Sequence, residues 1–261
     1  MVAASNTRRA EAGPDHGGTA LLRFFKSLNR FVSASERVAA CLAKAQDDVQ
    51  AHLGRHKEYY INEYRPRESH YWEHVPRWIA GLPKRIRVLD VGAAYCTLAV
   101  FTRRMLDAEV IALDTVSHFQ PAALLAAEGI RHVTRNVELE ELSDLGTFDL
   151  IIFTEALEHL NFQPVPTLRK LRGALVPGGT LLLSTPDAAS NWGRTTKYYK
   201  ELAEIPAADP SAPWIDDHVW QYDRAELEGV LVQAGFAIRE ILTASGNDGG
   251  THLNIRATRP A

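Results

Sequence analysis

The sequence predicts an α/β fold: a seven-stranded, mostly parallel sheet with one antiparallel edge strand, flanked by helices and preceded by a helical N-terminal cap. Three observations support this. After Pro83, short apolar runs alternate with helical stretches, the texture of a parallel sheet with crossover helices. The first run ends in the small-residue turn Gly92-Ala93-Ala94, where a strand should hand over to a helix N-terminus. The 261 residues are 46% hydrophobic, enough to build a large buried core.

From the N-terminus, residues 1–20 place Arg8, Arg9, Glu11 and Asp15 where a signal peptide needs an apolar core. They read as a mobile tail. Residues 21–83 read as a helical cap. Leu22, Phe25, Leu28, Phe31 and Val32 recur at three- and four-residue steps, and Val38, Leu42, Ala45 and Val49 continue the stripe. Such a stripe packs on the main domain as a lid, or against a second copy of the chain in a homodimer. Within the cap, Tyr59, Tyr60, Tyr64, Tyr71, Trp72 and Trp78 interleave with Arg65, Arg67, His70 and His74. Two readings stay open: rings that stack on a sugar or a base, or a lid buried on the core.

Residues 84–261 form the main domain. Strands are expected at 86–91, 109–113, 132–134, 148–153 and 180–184, with two closing strands near 237–243 and 252–258. Helices are expected at 98–106, 121–127 and 165–175. A last helix, capped by Asp216 or Asp223, should stop at Gly235. Pro177-Gly178-Gly179 reads as a turn into the fifth strand. Residues 185–222 are too long for a plain connection and read as a substrate-side insertion.

Net charge is −3, which supplies no broad basic field for a polyanion and argues against a general nucleic-acid binder. No apolar run approaches the roughly 18 residues of a membrane span. Cys41 and Cys96 form neither a C-x-x-C pair nor a zinc spacing, and so few cysteines suit a reducing, cytoplasmic setting.

Two acidic residues frame a nucleotide-type site. Asp90 precedes Gly92 at the first strand–helix turn, with Ala94 and Cys96 where further glycines are usual. Asp114 ends the second strand, where a carboxylate accepts hydrogen bonds from ribose hydroxyls or simply shapes a turn. The series Val88-Leu89-Asp90-Val91-Gly92, Ile111-Ala112-Leu113-Asp114, Phe148-Asp149-Leu150-Ile151-Ile152-Phe153 and Leu175-Val176-Pro177-Gly178-Gly179-Thr180 resembles class I S-adenosylmethionine-dependent methyltransferases. The resemblance runs from Arg85 to the C-terminus and implies a Rossmann-like methyltransferase fold with S-adenosylmethionine as cofactor. It implies that Asp90 and Gly92 lie near the amino-acid end of the cofactor, backed by Ala94. Asp114 would hold the ribose, and Asn136 and Val137 would meet the adenine.

After the fourth strand comes Glu155-Ala156-Leu157-Glu158-His159. In a helical turn Glu155, Glu158 and His159 share one face. Two carboxylates and an imidazole there suit a divalent cation, with a fourth ligand from Asp216-Asp217-His218. This E-x-x-E-H run, with Ser184-Thr185-Pro186-Asp187 and Asp217-His218-Val219-Trp220, resembles metal-dependent small-RNA 2′-O-methyltransferases. It also resembles O-methyltransferases of ubiquinone and glycan assembly. The resemblance implies Glu155, Glu158, His159 and His218 as ligands of Mg, Mn or Zn. Two other readings stay open: His159 as general base without a metal, and a structural role. Asp187 either orients a substrate hydroxyl, which would make it catalytic, or forms a turn. Tyr198 and Tyr199, beside Lys197 and Arg194, line an acceptor groove or a solvated surface. The expected activity is O-methylation of a sugar hydroxyl in a glycan, glycolipid or natural product. The alternatives are methylation of a small-RNA 3′ end and an inactive cofactor-binding subunit.

Overall fold

The computed structural model describes residues 33–190, 193–246 and 250–261. The tail at 1–20 and the stripe from Leu22 to Val32 lie outside the described residues. The chain divides into two units, Met1–Arg37 and Val38–Ala261. In the first, only the start of helix α1 (Ala34–His52) is described. All that follows concerns the second.

Helix α1 buries Ala45 and Val49, two of the expected stripe positions, and Asp48 on it pairs with Arg104 at 2.9 Å. After Gly54 the backbone tightens into a 3₁₀ turn, widens into a π turn at Tyr60–Tyr64, and settles into α2 (Arg65–Tyr71), with Pro66 in its first turn. A short α3 (Val75–Ala80) follows, again started by a proline. Tyr60, Trp72, Trp78 and Ile79 are buried, whereas Tyr59 is 58% exposed. The aromatic segment is thus chiefly packing: its rings bury apolar area against the sheet domain.

The main domain carries β1 (Arg87–Val91), α4 (Thr97–Leu106), β2 (Glu109–Asp114), α5 (Ala122–Glu128), β3 (Arg131–Thr134) and β4 (Phe148–Thr154). These are followed by α6 (Pro164–Ala174), β5 (Leu175–Pro186), α7 (Arg224–Gln233), β6 (Ala237–Ser245) and β7 (Thr251–Thr258). The strand order is β3-β2-β1-β4-β5-β7-β6. The one antiparallel strand is β7, which pairs with β5 on one side and with the edge strand β6 on the other. This is a Rossmann-like methyltransferase fold.

Strands β1 and β4 are covered on both faces, which explains their unbroken apolar runs. Side chains alternate between two cores. Leu89, Ile151, Phe153 and Leu183 join α6 and α7, while Val88, Leu150, Ile152 and Leu182 join α4 and the cap. The cap therefore finishes one face of the sheet. Strand order reverses between β1 and β4, so the crevice beyond their C-terminal ends is where an open α/β sheet takes a ligand.

One detail differs from expectation, and one open choice is resolved. Strand β5 begins at Leu175, and Pro177-Gly178-Gly179 lies within it. The pairing jumps from Phe148↔Leu175 to Leu150↔Thr180, so these residues bulge outward, with Gly178 at φ +80°. Of the two candidate caps for α7, Asp223 is the one used: its Oδ1 accepts the Glu226 N–H at 2.9 Å, and Glu226 reciprocates.

Candidate active site

A cleft of about 380 Å³ opens beyond the C-terminal ends of β1, β2 and β4. Its walls bring together Gly92, Ala94, Asp114, Asn136 and Val137 with Glu155 and His159. The β1–α4 turn is tight because three residues adopt left-handed backbone: Gly92 (φ +70°), Ala94 (φ +43°) and Cys96 (φ +62°). Gly92 is obligatory, since a Cβ there would sit 2.7 Å from the Cβ of Ala156. Ala94 and Cys96 hold the conformation without glycine's freedom, at roughly 1–2 kcal/mol each. Their strain is balanced by the surrounding bonds. The Ala94 N–H donates to Asp114 Oδ2 at 2.8 Å, and the Gly92 N–H donates to the Leu113 carbonyl at 2.8 Å. Asp114 Oδ1 faces the Val116 N–H at 3.3 Å, so the carboxylate keeps acceptor capacity toward the cleft.

Asp90 does not line this cleft. It is buried behind the turn, beside a separate small void that Gly92 also borders. Burial, reinforced by the nearby Asp114 charge, pushes its pKa up to about 7.

The second cluster differs from its sequence reading. Glu155 is not on a helical face with Glu158 and His159: it sits in left-handed backbone (φ +50°) at the end of β4, before a 3₁₀ turn at Leu157–His159. Its carboxylate turns to β5 and β7 instead, accepting Ser184 Oγ at 2.7 Å and lying 3.0 Å from His252 Nδ1. The ligand atoms that gather within 4.8 Å are those of Glu158, His159 and His218. Among the described residues Glu155 is therefore outside the cation-type cluster. The shared helical face expected for Glu155, Glu158 and His159 does not form, because Glu155 takes left-handed backbone ahead of the 3₁₀ turn.

Glu158 is fully buried and accepts Thr185 Oγ1 at 3.0 Å. Desolvation, then repulsion from Glu155, raises its pKa to about 8, against the lowering effect of His218. His159 Nδ1 lies 3.0 Å from the carbonyl of Asp217, to which it donates, leaving Nε2 as the free ring nitrogen. Burial lowers the His159 pKa. The His159 and His218 rings meet edge to face at 4.7 Å.

The insertion is anchored by residues that sequence reasoning missed. Asn161 grips Ile215 from both sides, its Oδ1 accepting the Ile215 N–H at 2.7 Å and its Nδ2 donating to the Ile215 carbonyl at 3.0 Å. Glu138 in turn accepts the N–H groups of Asn161 and Phe162. This holds Trp214, Ile215 and Asp216 over the cleft. Lys197 and Tyr198 both bond Asp217, holding its carboxyl below the usual range, and Arg194 bonds Glu226 and lies over Trp220. These groups brace the loop and do not line the cleft. Asp187 also lies outside the cleft lining. Its Oδ1 accepts the Ala189 N–H at 2.9 Å in a turn, and its Oδ2 faces Thr251.

Residues 61–241 match the profile of the methyltransferase-domain family, and the chain belongs to that family. No curated protein matches it in sequence. Among solved structures it is similar to an S-adenosylmethionine-dependent methyltransferase from Mesorhizobium loti (TM-score 0.51, 18% identity, 71% of this chain and 97% of the other). It is also similar to 1,6-didemethyltoxoflavin-N1-methyltransferase of Burkholderia thailandensis, bound to 1,6-didemethyltoxoflavin and S-adenosylhomocysteine (0.51, 20%, 97% and 94%). A third is the N-methyltransferase NodS of Bradyrhizobium japonicum WM9 with S-adenosylhomocysteine (0.53, 13%, 83% and 99%). At these identities the likeness is one of fold. No helix among the described residues is long and apolar enough to cross a membrane.

Proposed function

We propose that this protein is an S-adenosylmethionine-dependent O-methyltransferase. Its acceptor is a hydroxyl of a sugar in a glycan, glycolipid or natural product, held beside a divalent cation at Glu158, His159 and His218. One observation carries the reading: a single cleft joins the Asp114–Ala94 strand-tip pair to His159.

The residues fit the cofactor. Asp114 retains lone pairs for ribose hydroxyls, the Gly92 turn allows close backbone approach, and Val116, Val137 and Leu160 offer apolar wall to a base. When bound, the cofactor supplies an electrophilic sulfonium methyl. An alcohol is a poor nucleophile while it keeps its proton, so the chain must remove or weaken that proton. His159 can serve this through a cation: Nδ1 donates to the Asp217 carbonyl, which leaves the Nε2 lone pair of the neutral ring as the ligating atom.

The cation cluster fits as well. One carboxylate and two imidazoles suit Zn or Mn better than Mg, which prefers oxygen. The Asp217 carbonyl orients one imidazole, as outer partners of ligating histidines do. A bound ion would lower the pKa of a coordinated hydroxyl. A second reading dispenses with the ion and makes His159 Nε2 the general base. It is favoured by the lowered pKa of His159, which keeps the ring neutral near pH 7. A sugar is preferred to RNA on the acidic net charge and on the motif resemblance.

The test is methyl-labelled donor offered separately to a glycan and glycoside library, to primary and secondary amines, and to short RNA, with and without a chelator. Label in a sugar hydroxyl that disappears on chelation supports the proposal. Transfer that survives exhaustive chelation selects His159 as base, and label confined to amines or RNA overturns the acceptor.

A further inference from the structure

We propose that the helical cap completes the cofactor site: Glu68 of α2, together with Asp90 of β1, receives the ammonium group of the cofactor's amino-acid tail. The inference rests on reading the cleft as an S-adenosylmethionine site and extends that site to a residue of the cap.

A small recess of about 10 Å³ lies beside the main cleft, and Gly92 borders both. That is room for one water-sized group, and an ammonium is of that size. Its walls include Glu68, Asp90, Tyr64, Tyr95 and Thr97, and no cationic side chain is among them. Both carboxylates are buried, Glu68 at 0% and Asp90 at 2% exposure. Asp90 Oδ2 has no hydrogen-bond partner. A buried carboxylate oxygen left in this way is an acceptor waiting for a donor.

Glu68 is fixed in place by three elements. It accepts Thr97 Oγ1 at 2.6 Å, Gln46 Nε2 at 2.7 Å and the Tyr60 hydroxyl at 3.1 Å. The π turn sets Tyr60 to reach it and brings the Tyr64 ring to 4.7 Å from that of Tyr95. Carboxylates and phenol rings around a small space favour a compact cation. Burial pushes Glu68 up to about 7, as it does Asp90, so both are partly protonated near neutrality until a positive group arrives. The void is lined by Gly92 and Ala93 of the β1–α4 turn, and Gly92 also lines the main cleft. A cap residue would then report, through charge, that the tail is present.

The full chain is titrated calorimetrically with S-adenosylhomocysteine and with 5′-methylthioadenosine, which has the same nucleoside and sulfur but no amino-acid tail. Glu68→Gln and Asp90→Asn should each weaken S-adenosylhomocysteine by about tenfold or more, and 5′-methylthioadenosine by less than about twofold. In the unsubstituted protein, runs between about pH 6 and 8 in buffers of different ionisation heat should show proton release with the first ligand only. That measurement decides the matter even where the Asp90 variant does not fold. Equal weakening of both ligands, or unchanged affinity with no proton release, would mean that the void holds water alone and would overturn the proposal. Failure of the unsubstituted protein to bind either ligand would overturn the cofactor reading and this inference together.

Discussion

The carboxylate of Glu155, at the end of β4, faces the imidazole of His252 on β7 at 3.0 Å, and His252 also meets the Tyr71 ring of the cap at 4.8 Å. One histidine thus links the parallel half of the sheet, the antiparallel strand and the cap, directly under the candidate reaction site. His252→Ala should leave Glu155 short of a partner in a nearly buried position. Loss of such a buried partner costs roughly 1–3 kcal/mol, readable as a lower denaturant midpoint. Unchanged stability would show that Glu155 finds its main partner elsewhere.

The turn at Gly92 gives a contrast in direction. Gly92→Ala adds a Cβ 2.7 Å from that of Ala156, at φ +70°, and should cost about 1–3 kcal/mol and weaken S-adenosylhomocysteine binding. Ala94→Gly relieves a left-handed alanine and should be neutral or stabilise by up to about 1 kcal/mol. Thermal midpoints of the two variants should move apart. If Ala94→Gly melts well below the unsubstituted protein, the methyl group packs in a way that outweighs the strain.

Stability of the ligand-free protein should depend on pH through Glu68 and Asp90. Their pKa values are raised in the fold, from 4.5 and 3.8, to about 7. Between these limits the native state holds more protons than the unfolded chain, so stability falls as pH rises. The loss from pH 5 to 7.5 should be on the order of 5 kcal/mol, about half from each group, and Glu68→Gln should flatten the profile. A stability that rises over this window would contradict the buried, partly protonated state of these groups.

His159→Asn separates orientation from chemistry. An asparagine amide can still donate to the Asp217 carbonyl, but it has no counterpart of the Nε2 lone pair. Turnover should fall about 10²-fold or more while affinity for S-adenosylhomocysteine stays within about twofold. Activity near that of the unsubstituted protein would remove His159 from the reaction.

Where the sequence was legible, period and punctuation were both present. Apolar runs located six of the seven strands to within two residues, and the fifth except for its first five residues, because β1, β2 and β4 are buried on both faces and cannot hide among polar residues. Asp223, one of the two candidate caps, starts the last helix, and the choice between them rested on Glu226, which closes the capping box in the fold. The order of the last two strands was not legible, since alternation along β6 and β7 says nothing about which one takes the outside. Nor was the partner of Glu155: His252 comes from β7, and no local spacing links the two. Glu138 and Asn161 were passed over for a similar reason, because their work is to bond backbone groups that become neighbours only after folding. Glu68 reads as one more charge in an arginine-rich stretch until Thr97 and Tyr60 close around it.

The place of β7 has a consequence for how the molecule is made. It is the last strand in the chain, yet it has neighbours on both sides, so β5 and β6 present bare edges to each other until it arrives. It also carries Asn254, whose amide donates to the Tyr71 carbonyl and whose oxygen accepts the His74 N–H. A ribosome-bound chain halted before Thr251 would therefore have neither a sealed sheet nor a seated cap. Such a chain offers two sticky edges to its neighbours until the final zipper stroke.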